Sequence, residues 1–287
     1  MKTFTAITRA EIIESNLLSN SAVLWALDNI DYLNKPMKFF GTSTKIEKRK
    51  GDIVEKFEIF VMYLQPANKV ALKTICNFAV KAGCKNPCLI DSGMLGLTTG
   101  QNAATKRTIL FLLRRAYFDS KITKEIASKE KRAARLGIPV YFRLNGTSDI
   151  NFSELIANNP NSKFYDYTKL LARVRRNTLP NYDLTFSGSM YSKQSKAALS
   201  KAIARGEKIA IAFNSAGIKS DSLKIPVKGF SSFDDNDARF LNGAGEIGTL
   251  SRKGSNKTER AETDILEKSF FVTSANITEF NNIIARG

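Results

Sequence analysis

The chain has 287 residues and carries 44 Lys and Arg against 27 Asp and Glu, which gives a formal net charge of +17. Its hydrophobic content of 43% fits a globular chain with a sizeable core and is too high for a disordered one. Because the chain contains no histidine, histidine-dependent nucleophiles, histidine-ligated zinc and histidine proton shuttles are all excluded.

The absence of certain sequence features indicates the cellular compartment of the protein. The first residues, MKTFTAITRAEIIESN, contain no apolar signal core, and no run approaches the roughly 20 apolar residues that cross a bilayer. Three cysteines are an odd number and too few for a secreted disulfide scaffold. We therefore expect a cytoplasmic protein without a membrane partner. The positive charge favours nucleic acid as the partner, and the alternative is surface charge that only keeps the chain soluble.

Residues 1–56 are predicted to form an N-terminal helical extension. Apolar residues recur at helical spacing through residues 8–33, and Asn34-Lys35-Pro36 ends this pattern. Residues 56–64 then predict a strand that Gln65-Pro66 closes. A second part of the chain, over residues 57–250, is expected to begin with this strand.

Helices and strands alternate from about residue 100. Residues 102–118 and 121–136 predict helices, and Gly137 marks the end of the second. Short apolar runs predict strands at 138–144, 163–167, 182–186 and 208–213, separated by helix-compatible stretches at 152–158, 169–176 and 192–205. This alternation is typical of a parallel sheet. We therefore predict an α/β fold, a parallel β/α barrel or partial barrel, over residues 57–250.

The C-terminal part, residues 251–287, is predicted to be irregular. Gly, Ser and Asp become frequent after residue 215, and the apolar periodicity weakens. A mobile loop is expected near 252–263, followed by a final strand at 269–272 and a closing helix at 277–285.

Cys76, Cys84 and Cys88 lie within 13 residues of one another, in a segment that also contains Gly83 and Pro87. Three thiolates on one loop are able to hold an iron–sulfur cluster or zinc. A three-cysteine iron–sulfur cluster would leave one iron open to a cofactor or substrate, whereas a closed zinc site needs a fourth soft ligand. We expect the cluster, with zinc as the alternative metal. Without a metal, the cysteines are expected to be reduced, partly buried thiols or to form a redox disulfide.

Functional residues of parallel β/α folds gather at the carboxyl ends of the strands. The predicted strands end in polar residues, among which Asp149, Asp166 and Lys169 are the candidate catalytic residues. The candidate cofactor-binding residues are Asn145, Thr147, Ser187 and Asn214. The alternative role for each of these positions is to cap a helix or to hold a turn.

Positive charge is concentrated in two segments. Residues 101–136 hold ten Lys and Arg against three acids, and residues 169–208 hold nine against two, so each segment contributes +7. The candidate nucleic-acid-binding residues in these segments are Arg114, Arg115, Arg173, Arg175 and Arg176. Contact with backbone phosphates is their expected use, and a solvated helix face is the alternative.

Several segments in a fixed order resemble a known family. They are CNFAVKAGCKNPCLIDSG, YFRLNGTSDINF, KFYDYTK, NYDLTFSGS and DDNDARFLNGAGEIGTLSRKG. Together they cover roughly residues 57–255 and resemble the phage gene-88-type proteins, which share a clustered triple-cysteine loop and a tyrosine-rich strand. This resemblance implies a phage-encoded protein. A more distant similarity to radical S-adenosylmethionine barrels implies S-adenosylmethionine as a further cofactor, although the C-x7-C-x3-C spacing departs from that family.

These observations lead to one predicted function and two alternatives. We expect a phage-encoded iron–sulfur enzyme that acts on nucleic acid or nucleotides by a radical or base-modifying reaction. The first alternative is a glycosyl-exchange enzyme on nucleic acid, in which Asp149 is the nucleophile and the cysteines hold zinc. The second is a nucleic-acid-binding phage protein without catalytic activity, whose cysteines are structural.

Overall fold

The computed structural model describes residues 3–42, 57–214, 230–234, 237–254 and 256–286. The chain divides into two compact units. The first unit comprises Met1–Asn77, Met94–Phe164 and Leu179–Tyr182. The second unit comprises Phe78–Gly93, Tyr165–Thr178 and Asp183–Gly287. Residues 43–56 of the predicted N-terminal extension lie outside the described residues.

The described elements alternate between helix and strand for much of the chain. The helices are α1 (Arg9–Ile13), α2 (Asn20–Asp28), α3 (Ile30–Asn34), α4 (Ala79–Ala82), α5 (Thr98–Leu113), α6 (Arg115–Leu136), α7 (Ser153–Ala157), α8 (Leu171–Arg176), α9 (Lys193–Ala204), α10 (Lys257–Asp264) and α11 (Ile277–Arg286). The strands are β1 (Phe40–Gly41), β2 (Glu58–Met62), β3 (Val140–Arg143), β4 (Lys163–Thr168), β5 (Tyr182–Ser187), β6 (Ile209–Phe213), β7 (Phe230–Ser232) and β8 (Ile247–Ser251).

The first unit is built on strands that pair mostly in parallel. Strand β2 pairs in parallel with β3 and in antiparallel orientation with β1, and β3 pairs in parallel with β4. Every residue of β2 is buried, as expected for a strand covered on both faces. Phe142 of β3 lies 5.3 Å from Phe40 of β1 and 5.8 Å from Phe164 of β4, measured between ring centroids, so aromatic packing joins these three strands.

Helix α6 shows how the local sequence fixes an element of this unit. Phe118, Ile122 and Ile126 recur at a spacing of four residues and are buried, so they form the apolar face of the helix. Gly137 then adopts a left-handed conformation with φ of 64° and ends the helix, as the sequence predicts. The helical pattern predicted over 8–33 is instead divided into α1, α2 and α3, because the Thr8 and Ser19 side chains cap new helix starts.

The second unit has its own parallel strands and its own core. Strand β5 pairs with β6, β6 with β8, and β8 with β7, all in parallel. Every residue of β6 is buried. Helices α8, α9 and α11 cover this sheet, because Leu171, Leu199 and Phe280 from the three helices share one hydrophobic cluster with residues of β5, β6 and β8.

The predicted mixed α/β class with mostly parallel pairing is confirmed, but the barrel is not. Strand order is β1-β2-β3-β4 in the first unit and β5-β6-β8-β7 in the second. A barrel requires its outermost strands to pair and close the sheet. Among the described residues, the short strands β1 and β7 each pair on one side only, so the sheet stays open.

Two C-terminal elements also differ from the prediction. The segment 269–272 does not form a strand, since Val272 makes a single isolated bridge to Phe213. Helix α10 occupies part of the predicted mobile loop at 252–263, because the Asn256 side chain accepts a hydrogen bond from Glu259 N and starts a helix there. No helix in the described ranges is both long and apolar enough to cross a bilayer.

Candidate functional site

The predicted site residues of the first unit surround the turn that follows β3. Asn145 Oδ1 accepts hydrogen bonds from Ser148 Oγ and Ile150 N, both at 2.8 Å. Thr147 Oγ1 donates to Leu64 O at 2.5 Å. Asp149 is partly buried next to these residues along the chain. The observed bonds of Asn145 and Thr147 thus hold the turn itself.

Cys76 also belongs to the first unit. Its Sγ accepts a hydrogen bond from Ala67 N at 3.3 Å and lies 3.9 Å from Thr147 O, to which the thiol donates. These contacts fix the thiol between a backbone amide and the turn after β3. Cys84 and Cys88 belong instead to the second unit.

Residues 78–93, which we call the Cys loop, are fixed within the second unit by close backbone contacts. Gly83 ends α4 with φ of 69°, and a Cβ at this position would lie 2.4 Å from the Tyr191 ring. Ser189 Oγ donates to Ala82 O at 2.6 Å, and Ser195 Oγ donates to Lys81 O at 2.8 Å. The loop is therefore held against the residues that lead into α9.

The two thiols of the Cys loop are both partly buried. The Cys84 thiol donates to Ala79 O at 3.7 Å. Burial raises the pKa of Cys88, and Cys84 raises it further, while Ile90 N and Lys169 act in the opposite direction. Cys88 is therefore a protonated thiol at neutral pH.

The convergence of the three cysteines, which the sequence predicts, is not seen. Throughout the described part of the chain, no group of three or more His, Cys, Asp or Glu side chains is placed to hold a metal ion. The iron–sulfur cluster and the zinc alternative thus stay predictions of the sequence.

Several predicted residues of the second unit do meet. Lys169 Nζ lies 3.5 Å from Ser187 Oγ and 5.1 Å from the centroid of the Phe270 ring. Lys169 also acts electrostatically on Cys88. Asp166 is fully buried in β4. One region of the second unit therefore contains Lys169, Ser187 and Cys88. Phe270 also belongs to this region, although the sequence did not predict it as a site residue.

Asn214, a predicted cofactor residue, is hydrogen-bonded to another element of the second unit. It is fully buried, and its Nδ2 donates to Arg260 O at 2.6 Å and lies 3.4 Å from Asp264 Oδ1. Both partners belong to α10, so the Asn214 amide ties the end of β6 to that helix.

A groove of about 580 Å³ lies between the Cys loop and residues 252–271, and we call it the Cys-loop groove. Asn86, Cys88 and Asp91 line it on the side of the Cys loop, and Lys268 and Phe270 line it on the other side. Tyr191 also lines the groove. Apart from Cys88, these residues were not predicted from the sequence, although the adjacent basic and aromatic residues at 268–271 were a signal for them.

The two sides of the groove approach each other closely at Gly254. This residue has φ of 69°, and an added Cβ would lie 2.6 Å from Ser92 Cβ. A larger residue at Gly254 would displace the Cys loop. Glycine is thus required both for the backbone conformation and for the close approach.

Some of the cations that line the Cys-loop groove are bonded to other residues of the protein, and one is not. Arg252 bonds Glu259 O and the Thr263 hydroxyl. Lys253 pairs with Asp234 at 2.7 Å. Lys268 is exposed, and no partner for it occurs among the residues that the structure describes. Lys268 is therefore the groove cation that is available to an anionic ligand.

Helices α8 and α9 form the strongest concentration of positive charge in the second unit, and we call them the basic helix pair. Together they carry six Lys and Arg and no Asp or Glu. Arg175, Arg176, Lys193 and Lys201 are exposed, and the described residues provide no partner for any of them. Because Leu171 and the α9 residues Leu199 and Ala202 are anchored in one core, both helices are held rigidly on the sheet.

The predicted arginines of the first unit are used within the protein. Arg114 donates to Thr5 O and Ala6 O at 3.0 Å and pairs with Glu11 at 2.8 Å. Arg115 pairs with Asp119 at 2.8 Å. Arg114 therefore holds the N-terminal residues against the start of α6, and Arg115 is paired within α6, whereas the exposed cations of the basic helix pair have no partner among the described residues.

The fold and the site define a basic α/β protein with mostly parallel strands, a uniformly cationic helix pair and a groove lined by a cysteine loop. The chain belongs to the GP88 family, described as Gene product 88, whose family model matches residues 37–265. This match confirms the phage gene-88-type resemblance. No curated protein and no solved structure matches the chain at a significant level.

Proposed function

We propose that this chain binds nucleic acid through the phosphate backbone, and that the basic helix pair is the surface of contact. The observation that carries the proposal is the sign of the charge on α8 and α9, which hold six cations and no carboxylate. A surface that served only solubility would be expected to mix both signs.

The exposed residues of the basic helix pair have the chemistry that phosphate recognition uses. Arg175 and Arg176 are adjacent in the last turn of α8, and arginine forms paired hydrogen bonds with phosphate oxygens. Lys193 and Lys201 of α9 add point charges at the two ends of that helix. Such contacts position a protein on a polyanion without selecting a base sequence.

The proposal concerns binding rather than a particular reaction. The iron–sulfur-dependent modification of nucleic acid predicted from the sequence needs three thiolate ligands around one point, which the described residues do not supply as a group. Asp149, Asp166 and Lys169 remain its candidate catalytic residues. A nucleic acid that the protein binds is the substrate on which that reaction should be tested.

The test compares two double variants that each remove two exposed helix cations. The first is Arg175→Ala with Arg176→Ala, and the matched control is Lys131→Ala with Arg135→Ala on α6 of the first unit. Binding of a fluorescein-labelled 20-nucleotide single strand, in DNA and RNA forms, and of a DNA duplex is measured by anisotropy at 50 mM salt.

We expect the α8 variant to weaken binding by about tenfold, because two phosphate contacts are lost, and the α6 control to change it by less than about twofold. Equal effects of the two variants would contradict the proposal, because charge alone would then explain the binding. Absence of measurable binding by the unmodified protein at micromolar concentration would also contradict it.

A further inference from the structure

The Cys-loop groove has the size of a small-molecule site. Its volume of about 580 Å³ lies within the range of roughly 300 to 1,000 Å³ that is typical of ligand pockets. All of its lining residues belong to the second unit, which also carries the basic helix pair. The groove is thus built by one compact part of the chain.

Two aromatic side chains offer the groove a surface on which a planar ring can stack. Phe270 lines the groove, and Lys169 Nζ lies 5.1 Å from its ring centroid, a cation–π contact that restrains the ring. The side chain of Tyr191 is 40% exposed in the same lining, and its ring is held by the close approach of Gly83. Stacking of a nucleobase on such rings stabilises binding by about 1 to 3 kcal/mol per base.

Polar groups in the lining match the remaining parts of a nucleotide. Lys268 presents an exposed ammonium group that can neutralise a phosphate. On the opposite side, Asn86 is exposed and carries an amide with two donors and an acceptor, the set needed to bond the edge of a base. Cation, aromatic ring and amide are thus present in one cavity of suitable size.

We propose that the Cys-loop groove binds a single nucleotide unit, with its phosphate at Lys268 and its base against Phe270 and Tyr191. This inference rests on the proposed function for the class of ligand, because a nucleic acid held on the second unit would present such units. An unstacked nucleotide of a single strand is the expected form of the ligand, since a groove of this size does not admit a base pair.

Because Cys88 lines the groove, the rate at which its thiol reacts with a reagent reports whether a ligand is bound there. The rate at which N-ethylmaleimide modifies each of the three cysteines is measured by mass spectrometry of peptides. A nucleotide bound in the groove is expected to shield Cys88 from this reaction. The protein is treated at pH 8 with increasing AMP, with ribose 5-phosphate, or with adenosine. We expect AMP at millimolar concentration to slow modification of Cys88 at least fivefold, and Cys76 of the first unit to react at an unchanged rate.

Two variants test the phosphate contact. Lys268→Ala should raise the AMP concentration that gives half-maximal protection by about tenfold, because one charge-assisted contact is lost. Lys257→Ala removes an exposed cation of α10 that does not line the groove, and it should leave protection unchanged. Cys84 lies in the second unit and does not line the groove, so an unchanged reaction rate of Cys84 without AMP shows that this unit is folded in both variants.

Three results would overturn the inference. They are no protection of Cys88 by 10 mM AMP, equal protection by ribose 5-phosphate, and equal loss of protection in the Lys268 and Lys257 variants. Failure here is distinguishable from failure of the proposed function. Oligonucleotide binding that depends on Arg175 and Arg176 can persist without protection of Cys88, and protection can be observed when that dependence is absent.

Discussion

The buried lysine of α5 makes the stability of the first unit depend on pH. Lys106 is fully buried, and its ammonium group donates hydrogen bonds to the backbone carbonyls of Tyr32 and Lys35. Burial, with a smaller contribution from the charge of Lys35, lowers the pKa of Lys106 from its usual 10.5 to about 8. The folded chain therefore loses this proton at a lower pH than the unfolded chain.

The sign and size of the effect follow from this difference. Between pH 8 and pH 10.5 the unfolded chain binds more protons at Lys106 than the folded chain, so the free energy of unfolding rises with pH. The gap of 10.5 − 8 = 2.5 units corresponds to about 3 kcal/mol in total, of which about 2 kcal/mol is gained by pH 9.5. Below about pH 7, one unit under the folded pKa of about 8, Lys106 is protonated in both states and the contribution is constant.

Urea unfolding followed by tryptophan fluorescence measures this effect in the first unit. Trp25 is the single tryptophan of the chain, and its Nε1 donates to Asn102 of α5 at 3.1 Å. Lys106→Met removes the titrating group. The difference in unfolding free energy between wild type and Lys106→Met should therefore shift by about 2 kcal/mol in favour of wild type from pH 7 to pH 9.5.

The matched control is Lys131→Met, which changes an exposed lysine of the same unit. The difference in unfolding free energy between wild type and Lys131→Met should stay constant across this range, because this variant keeps the buried Lys106. A pH-independent difference between wild type and Lys106→Met, within about 0.5 kcal/mol, would refute the reasoning from burial.

Three further predictions concern the second unit. Gly83→Ala should lower the free energy of unfolding of this unit by about 2 kcal/mol or more, because φ is 69° and the added Cβ would lie 2.4 Å from the Tyr191 ring. An unchanged melting temperature in thermal melts would contradict this prediction. The rate of Cys88 modification by N-ethylmaleimide should rise by about tenfold per pH unit up to pH 9, because the raised pKa of Cys88 keeps the thiol protonated. A rate that no longer rises above pH 8 would be inconsistent with that raised pKa. Lys208→Met should lower the free energy of unfolding in urea by about 1 to 3 kcal/mol, because Asp183 loses its ammonium partner and the buried Arg239 carbonyl loses a donor. The exposed Lys201→Met should change it little, and equal losses would argue against a stabilising role of the Lys208–Asp183 pair.

Local patterns in the sequence were sufficient to predict most helices and strands. The strands predicted at 163–167 and 208–213 correspond to Lys163–Thr168 and Ile209–Phe213, because short, mainly apolar runs of that length fit a buried parallel strand. Gly137 ends α6 as predicted, since few other residues adopt its left-handed conformation without strain. Information of this kind is contained within a few neighbouring residues.

Features that depend on distant pairing were not predictable in the same way. The apolar run at 269–272 is as hydrophobic as a strand, yet it finds one bridge partner, Phe213, and pairing depends on which neighbours the fold provides. Closure into a barrel likewise requires pairing between terminal strands, and no local pattern encodes that pairing.

The candidate site was predictable in part. Lys169 and Ser187 were chosen as ends of adjacent predicted strands, and the structure places them 3.5 Å apart. For the cysteines, proximity in sequence does not by itself specify convergence, and no group of three or more possible metal ligands occurs among the described residues. Lys268 was missed because it is far along the chain from the Cys loop that it faces across the groove.

The salt dependence of nucleic-acid binding tests the central claim most directly, because it counts the phosphates that the protein neutralises. Four exposed cations of the basic helix pair predict a slope of about −3.6 for log Kobs against log salt concentration on duplex DNA. Replacing Arg175 and Arg176 with Ala should reduce the magnitude of this slope by about 1.8, and replacing Lys131 and Arg135 should leave it unchanged. A slope that does not differ between the two double variants would contradict the account.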